Sequence, residues 1–319
     1  MPNKINNSHI LTFADDTKVV KKISEENDCG LLQNDLNYII KWSQMNKMKL
    51  NNDKFELLCH TPHLNNRKLD LLKELPFFNR FFNYNVSENI SISPSQSVKD
   101  LGVNITRDLS WNVHIDITTK KASRISRWIL HVFYTRDPVT MITLFKTLVR
   151  PILEYCPEIW NPYKVKDIVS IEKVQRTFTS KIRGTKDLNY WERLKALELY
   201  SLQRRRERIL ILIVWKIRNG MYPNCVNLKF KVHKRSNSVK AVLKPMPRVM
   251  GSLLTKYEES FVIKAAKLWN VIPSNLTVIE HLGAFKSGLD RFLKTVPDLP
   301  PVPGYPSQTK NSLTDYIVR

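Results

Sequence analysis

The stretch His9-Ile10-Leu11-Thr12-Phe13-Ala14-Asp15-Asp16-Thr17-Lys18-Val19-Val20-Lys21-Lys22 decides how the first third of the chain folds. His9 to Ala14 and Thr17 to Lys22 are two short runs rich in β-formers, among them Ile10, Phe13, Thr17, Val19 and Val20. Asp15 and Asp16 stand between them, where a two-residue hairpin turn is predicted because aspartate tolerates turn conformations. A tight hairpin thrusts turn side chains beyond its rigid strands, and the neutral residues next to the turn leave Asp15 and Asp16 as the local charges. An Asp-Asp turn taken alone is common, so its chemistry depends on what surrounds it.

Working outward, Leu32, Leu36, Ile39 and Ile40 recur at helical spacing, with Asn27 or Asp28 as the predicted cap. Asn51-Asn52-Asp53 is a turn signal and Phe55 to Cys59 reads as a strand. Residues 61–89 read as irregular but aromatic, with Phe77, Phe78, Phe81, Phe82 and Tyr84. Short strands are predicted near Ile90 and across Val98 to Ile105. From Asn112 the pattern turns helical, with Ile125, Trp128, Ile129, Val132 and Phe133 on one face. Asp137-Pro138 opens a helix as N-cap and first residue, carrying Met141, Leu144, Phe145 and Leu148 inward, and Pro151 is predicted to close it. Further helices are predicted over Ile168 to Ile182, Tyr190 to Leu199, from Ser201 to Arg218 with Asn219-Gly220 as stop, Glu258 to Trp269, and Leu282 to Leu293. Lys229 to Arg248 reads as loosely structured. Beyond Pro297 a proline-rich run reads as an extended tail outside the core.

The charge is unevenly distributed. Residues 1–110 hold 14 basic and 13 acidic side chains, residues 111–249 hold 29 and 10, net +19, and residues 250–319 hold 8 and 6. The middle therefore carries most of the overall +22, and a polyanion is the natural partner of such a field. Gln203-Arg204-Arg205-Arg206-Glu207-Arg208 starts a helix whose apolar run from Ile209 would anchor it, leaving the arginines at the rim to grip phosphate. A solvated face or a nuclear-import patch would have the same composition. Lys120, Lys121, Arg124 and Arg127 form a second basic stripe, near Trp111, Trp128 and Tyr134. These aromatics could stack on bases, although helical spacing assigns Trp128 to the core.

Other classes are disfavoured. The longest apolar run, Ile209 to Trp215, has seven residues, too few for a membrane span. Met1 to Asn7 is polar and lacks the apolar region of a secretory signal, so an intracellular protein of nucleus or cytoplasm is expected. Cys29, Cys59, Cys156 and Cys225 have no short metal-knuckle spacing and read as buried or free thiols.

With these neighbours in place, Phe13-Ala14-Asp15-Asp16-Thr17-Lys18 resembles the Phe/Tyr-Ala-Asp-Asp box of reverse transcriptases from non-LTR retrotransposons, the jockey-like group among them. Leu32-Gln33-Asn34-Asp35-Leu36, Trp42-Ser43, Asn46-Lys47-Met48-Lys49-Leu50-Asn51 and Lys54 follow in that family's order. Val98-Lys99-Asp100-Leu101-Gly102-Val103 is similar to its primer-grip hairpin, and Asp108-Leu109-Ser110-Trp111-Asn112-Val113-His114-Ile115 continues toward a thumb. Arg136-Asp137-Pro138, Leu148-Val149-Arg150-Pro151-Ile152-Leu153-Glu154-Tyr155-Cys156, Ile171-Glu172-Lys173-Val174-Gln175-Arg176 and Leu268-Trp269-Asn270-Val271-Ile272-Pro273 extend the resemblance over nearly the whole chain.

The resemblance implies an α+β fold. A truncated palm remnant with short β-hairpins spans 1–110, a basic helical thumb-like domain 111–228, a helical C-terminal region 229–296, and a Pro-rich tail 297–319. It also implies RNA-directed DNA polymerisation on a template–primer of RNA and DNA, with two Mg²⁺ ions about 4 Å apart held by carboxylates. Asp15 would be the metal-binding aspartate, Asp16 its weaker partner, and Lys54 a proton donor to leaving pyrophosphate. Lys99 and Gly102 would belong to the primer grip. In that family a third metal-binding carboxylate and the fingers precede the box, whereas the twelve residues before Phe13 contain no acidic side chain. The expectation is therefore a chain without polymerase activity alone. The alternative is a non-catalytic basic helical protein that binds nucleic acid.

Overall fold

The computed structural model describes residues 5–60, 83–87, 90–233, 238–243, 252–305 and 309–317. The chain divides into two compact units, Met1–Ser110 and Trp111–Arg319. Helices and short two-stranded antiparallel sheets make a mixed α and β protein. Among the described residues no helix is long and apolar enough to cross a membrane.

In the first unit, β1 (His9–Phe13) pairs with β2 (Asp16–Val20), His9 opposite Val20 and Phe13 opposite Asp16. The turn is thus Ala14-Asp15 rather than the expected Asp15-Asp16, and Asp16 is the first residue of β2. Ala14 has φ 51° while Asp15 stays out of the left-handed region, the pattern of a type II′ turn. Helix α1 (Glu26–Met45) starts at Glu25, ahead of the expected cap, because the Asp28 carboxylate accepts the Ser24 and Glu25 N–H groups at 2.8 and 3.2 Å. Those two bonds hold the Asp28 carboxyl below its usual range. The expected strand over Phe55 to Cys59 reduces to an isolated bridge from Leu57 to Pro94. Strands β3 (Tyr84–Ser87) and β4 (Ile90–Ile92) form one hairpin. Strands β5 (Ser97–Asp100) and β6 (Val103–Thr106) form another, turning at Leu101 (φ 44°) and Gly102 (φ 87°). Positive φ at both central positions is what a type I′ turn demands, and Gly102 supplies one of them without strain. The small core joins Cys29, Tyr84, Val86 and Ile92, with Leu32, Leu36 and Ile40 of α1 packed against them. Phe77, Phe78, Phe81 and Phe82 lie outside the described residues.

The second unit opens with α2 (Asn112–Val132), whose inward side chains are Ile115, Thr118, Thr119, Ala122, Ser126 and Ile129. Helix α3 (Pro138–Leu144) begins as expected, the Asp137 carboxylate accepting the Thr140 N–H at 3.0 Å. Pro151 does not stop it. A π turn, Phe145–Val149, leads into α4 (Arg150–Glu154), and the Arg150 N–H reaches back five residues to the Phe145 carbonyl. A wider turn before a proline is a way of accommodating its missing donor and bulky ring.

Next come α5 (Pro157–Trp160), α6 (Val165–Thr179), α7 (Tyr190–Ala196) and α8 (Leu202–Arg218). Ser201 caps α8 through a 3.0 Å bond from the Arg204 N–H, and Asn219 and Gly220 (φ 69°) end it as expected. The stretch expected to be loose contains a hairpin, β7 (Phe230–Val232) with β8 (Val239–Ala241). Helix α9 (Ser252–Glu258) precedes α10 (Phe261–Val271), α11 (Ser274–Thr277) and α12 (Leu282–Leu293). The core gathers Leu210, Ile211, Trp215, Trp269, Phe285 and Leu289. Trp215 stacks on Phe285 at 5.5 Å, and its indole N–H donates to the Ile279 carbonyl at 2.7 Å. Gly288 admits Leu276 closely, since an added Cβ would stand 2.6 Å from its Cδ2.

Among the described residues the Pro-rich tail has no helix before α13 (Leu313–Tyr316), yet Leu313 is part of the core, contrary to expectation. Asp298 accepts the Ser201 backbone N–H and hydroxyl, both at 2.7 Å, and Leu313 is fully buried. Proline-rich composition lowers helix content but does not prevent docking when its neighbours can hydrogen-bond.

Candidate nucleic-acid interface

Helix α2 owes its orientation to small and hydroxylated residues. Ala122, Ser126 and Thr119 take inward positions, and Thr119 returns its hydroxyl to the Ile115 carbonyl at 2.7 Å. The opposite face is left to Lys120, Lys121, Arg124, Arg127 and Trp128, all exposed. The basic stripe thus lies where the sequence put it, on one side of one helix. Trp128 does not: helical spacing had assigned it to the core, whereas 52% of it is exposed, in line with the cations. Tyr134, just past the helix end, is 93% exposed. Trp111 is half-buried. On this face Asp116 pairs with Lys120 at 2.7 Å. That pair is solvated and worth little, and with Asp116 set against Lys120, Lys121, Arg124 and Arg127 the face stays net positive.

The arginines of α8 behave otherwise. Arg204 and Arg206, expected at the rim, are fully buried, and Arg205 and Arg208 are partly so. Arg205 forks Glu154, its Nη2 donating to Oε2 at 2.9 Å and its Nε donating to Oε1. Arg208 forks Asp290 at 2.5 and 2.7 Å. Arg204 lies 4.0 Å from Glu207 and donates to the Pro297 carbonyl at 2.8 Å. Arg206 donates from Nε to Asn161 Oδ1 at 3.2 Å and feels the attraction of Glu172. Burial pulls the Arg206 guanidinium below its ordinary value, and pushes the Glu172 and Glu207 carboxyls above theirs. Three of the four arginines thus pair with carboxylates inside the unit, and the buried Arg206 is attracted by Glu172. They are held in an internal network rather than at the expected rim. No local signal marks this, because Glu154, Glu172 and Asp290 come from α4, α6 and α12.

In the first unit, Asp15 and Asp16 are exposed at the end of a bare ribbon, and Phe13 beside them is 65% exposed. Lys18 of β2 pairs with Asp100 at the end of β5, so the Asp-Asp hairpin and the β5–β6 hairpin are tied together. Lys99 and Gly102 are exposed on that second hairpin, and Lys54 is exposed in a short 3₁₀ turn, Asn52–Lys54. Among the described residues no group of three His, Cys, Asp or Glu side chains is arranged to hold a metal ion. Mg²⁺ demands near-octahedral oxygen ligands, and two solvated carboxylates leave most positions to water. Asp15 and Asp16 do not by themselves fit a two-metal centre.

No protein-family model matches the chain, and no curated protein or solved structure matches it significantly.

Proposed function

We propose that this chain binds RNA or DNA through the exposed basic face of α2, and that it is a fragment of a non-LTR retrotransposon reverse transcriptase without polymerase activity of its own. One observation carries the binding: Lys120, Lys121, Arg124 and Arg127 share a solvent face whose opposite side is packed into the core. Rigid backing holds the cations in fixed register, which favours a polyanion over scattered counterions. The α8 arginines stand apart from it, being held in an internal network. Such contacts fall on phosphates, so binding is tolerant of sequence. In this reading the first unit is a palm remnant and α2 begins a thumb.

A mobility-shift titration of labelled RNA and DNA strands tests it. The double variant Lys121→Glu, Arg124→Glu should retard both strands only at much higher protein concentration, while Lys54→Ala should retard them as the native chain does. Equal retardation by the double variant would overturn the proposal.

The enzymatic reading draws on the Lys18–Asp100 pair, which joins the Asp-Asp hairpin to the hairpin that resembles a primer grip. Primer extension on a homopolymer template decides between the two. Incorporation by the purified chain that is abolished in Asp15→Ala would restore catalysis; none is expected.

A further inference from the structure

The outward position of Trp128 has a cost. A half-exposed indole leaves apolar surface in water, which a helix-surface lysine would not. The ring follows Arg127 directly and lies one turn beyond Arg124, with Lys120 and Lys121 both about one turn before Arg124 along the same face. Tyr134, two residues past the helix end, is also exposed. Flat rings interleaved with cations along a groove or stripe are how proteins hold unpaired bases, with cations on the phosphates and rings on the base faces. Duplex DNA offers no such faces along its length, because its bases stack on one another.

Resting on the reading of this face as nucleic-acid-binding, we propose that its ligand is single-stranded nucleic acid, one unpaired base stacking on Trp128 while Lys121 and Arg124 neutralise the adjoining phosphates. Tyr134 offers a second platform further along the strand. Because every base has a π-face, the site takes RNA and DNA strands alike.

Fluorescence anisotropy of the full chain with labelled oligo(dT), and with the same strand annealed to oligo(dA), tests this. The native chain should bind the single strand more tightly. Trp128→Ala should weaken single-strand binding about ten-fold, the order of one base stacked on an aromatic ring, and leave duplex binding unchanged. Trp128→Phe should recover most of the loss. Since Trp128 is exposed and outside the core, circular dichroism of both variants should match the native chain. Equal affinity for strand and duplex, or Trp128→Ala binding the strand as tightly as the native chain, would overturn this inference while leaving the basic face as a nucleic-acid site. Absence of binding to either probe would overturn both.

Discussion

The Tyr190 hydroxyl donates to Glu172 Oε2 at 2.7 Å, with both side chains buried between α6 and α7. The other oxygen of Glu172 accepts the Gln203 backbone N–H at 2.8 Å, so one carboxylate ties α6 to α7 and to the start of α8. Tyr190→Phe removes a hydrogen bond to a buried charged group and should cost about 1.5–3 kcal/mol in urea unfolding. Arg206→Met should also destabilise the chain, by removing the cation that attracts Glu172 and the donor to Asn161 Oδ1. Adding Glu172→Gln to Arg206→Met should restore much of that loss. A double variant as unstable as the sum of the two singles would mean that Glu172 and Arg206 do not act together.

His114 gives the second unit a sensitivity to acid. Its ring meets Trp160 edge-on at 4.9 Å, and burial holds the imidazole below its ordinary 6.5. The unfolded chain takes up this proton first, so the folded state keeps its full advantage above pH 6.5 and loses it as pH falls through the window below. Glu172 and Glu207, raised by burial, act in the opposite sense: their contribution is present in acid and lost as pH rises above the ordinary 4.5. The difference between native and His114→Gln unfolding midpoints isolates the histidine. It should shrink as pH falls below 6.5, and a difference constant across that range would refute the assignment.

The thiols should react in the order of their exposure. Cys225 is exposed, while Cys29 and Cys59 are buried, and burial pushes the Cys59 thiol up to about 12. Timed alkylation with iodoacetamide at neutral pH, followed by mass spectrometry, should label Cys225 first. Cys59 should react only after denaturation. Early labelling of Cys59 would mean that the core of the first unit is open.

The C-terminal strap should be needed for stability. Asp298 accepts two bonds from Ser201 and a third from the Asn311 side-chain amide at 2.9 Å, closing the strap over the start of α8. Asp298→Ala leaves those donors unpaired and should cost about 1–3 kcal/mol, read as a lowered Tm. A Tm equal to that of the native chain would place the strap outside the cooperative unit.

Local signals made part of this legible. Asp137-Pro138, Ser201 and Asn219-Gly220 mark helix ends through bonds within a turn of chain, and α12 spans Leu282 to Leu293 as its periodicity required. The basic stripe of α2 could be read because a helix fixes which residues share a side. What failed depended on distant partners. Helical spacing places Trp128 on the face of Ile125 and Ile129, but Ala122, Ser126 and Ile129 take the inward positions and Trp128 turns outward. The arginines of α8 read as a surface patch because the carboxylates that face Arg205, Arg206 and Arg208 lie in other helices. Pro151 read as a stop because the π turn that carries the chain through it has no residue signature.

The most direct measurement of the central claim is the dependence of oligo(dT) affinity on salt. If the α2 face grips phosphates, log K should fall linearly with log salt concentration. The slope should then become shallower by about 1 to 2 when Lys121 and Arg124 are both replaced by glutamate. An affinity indifferent to ionic strength, or a slope that the double replacement leaves unchanged, would contradict it.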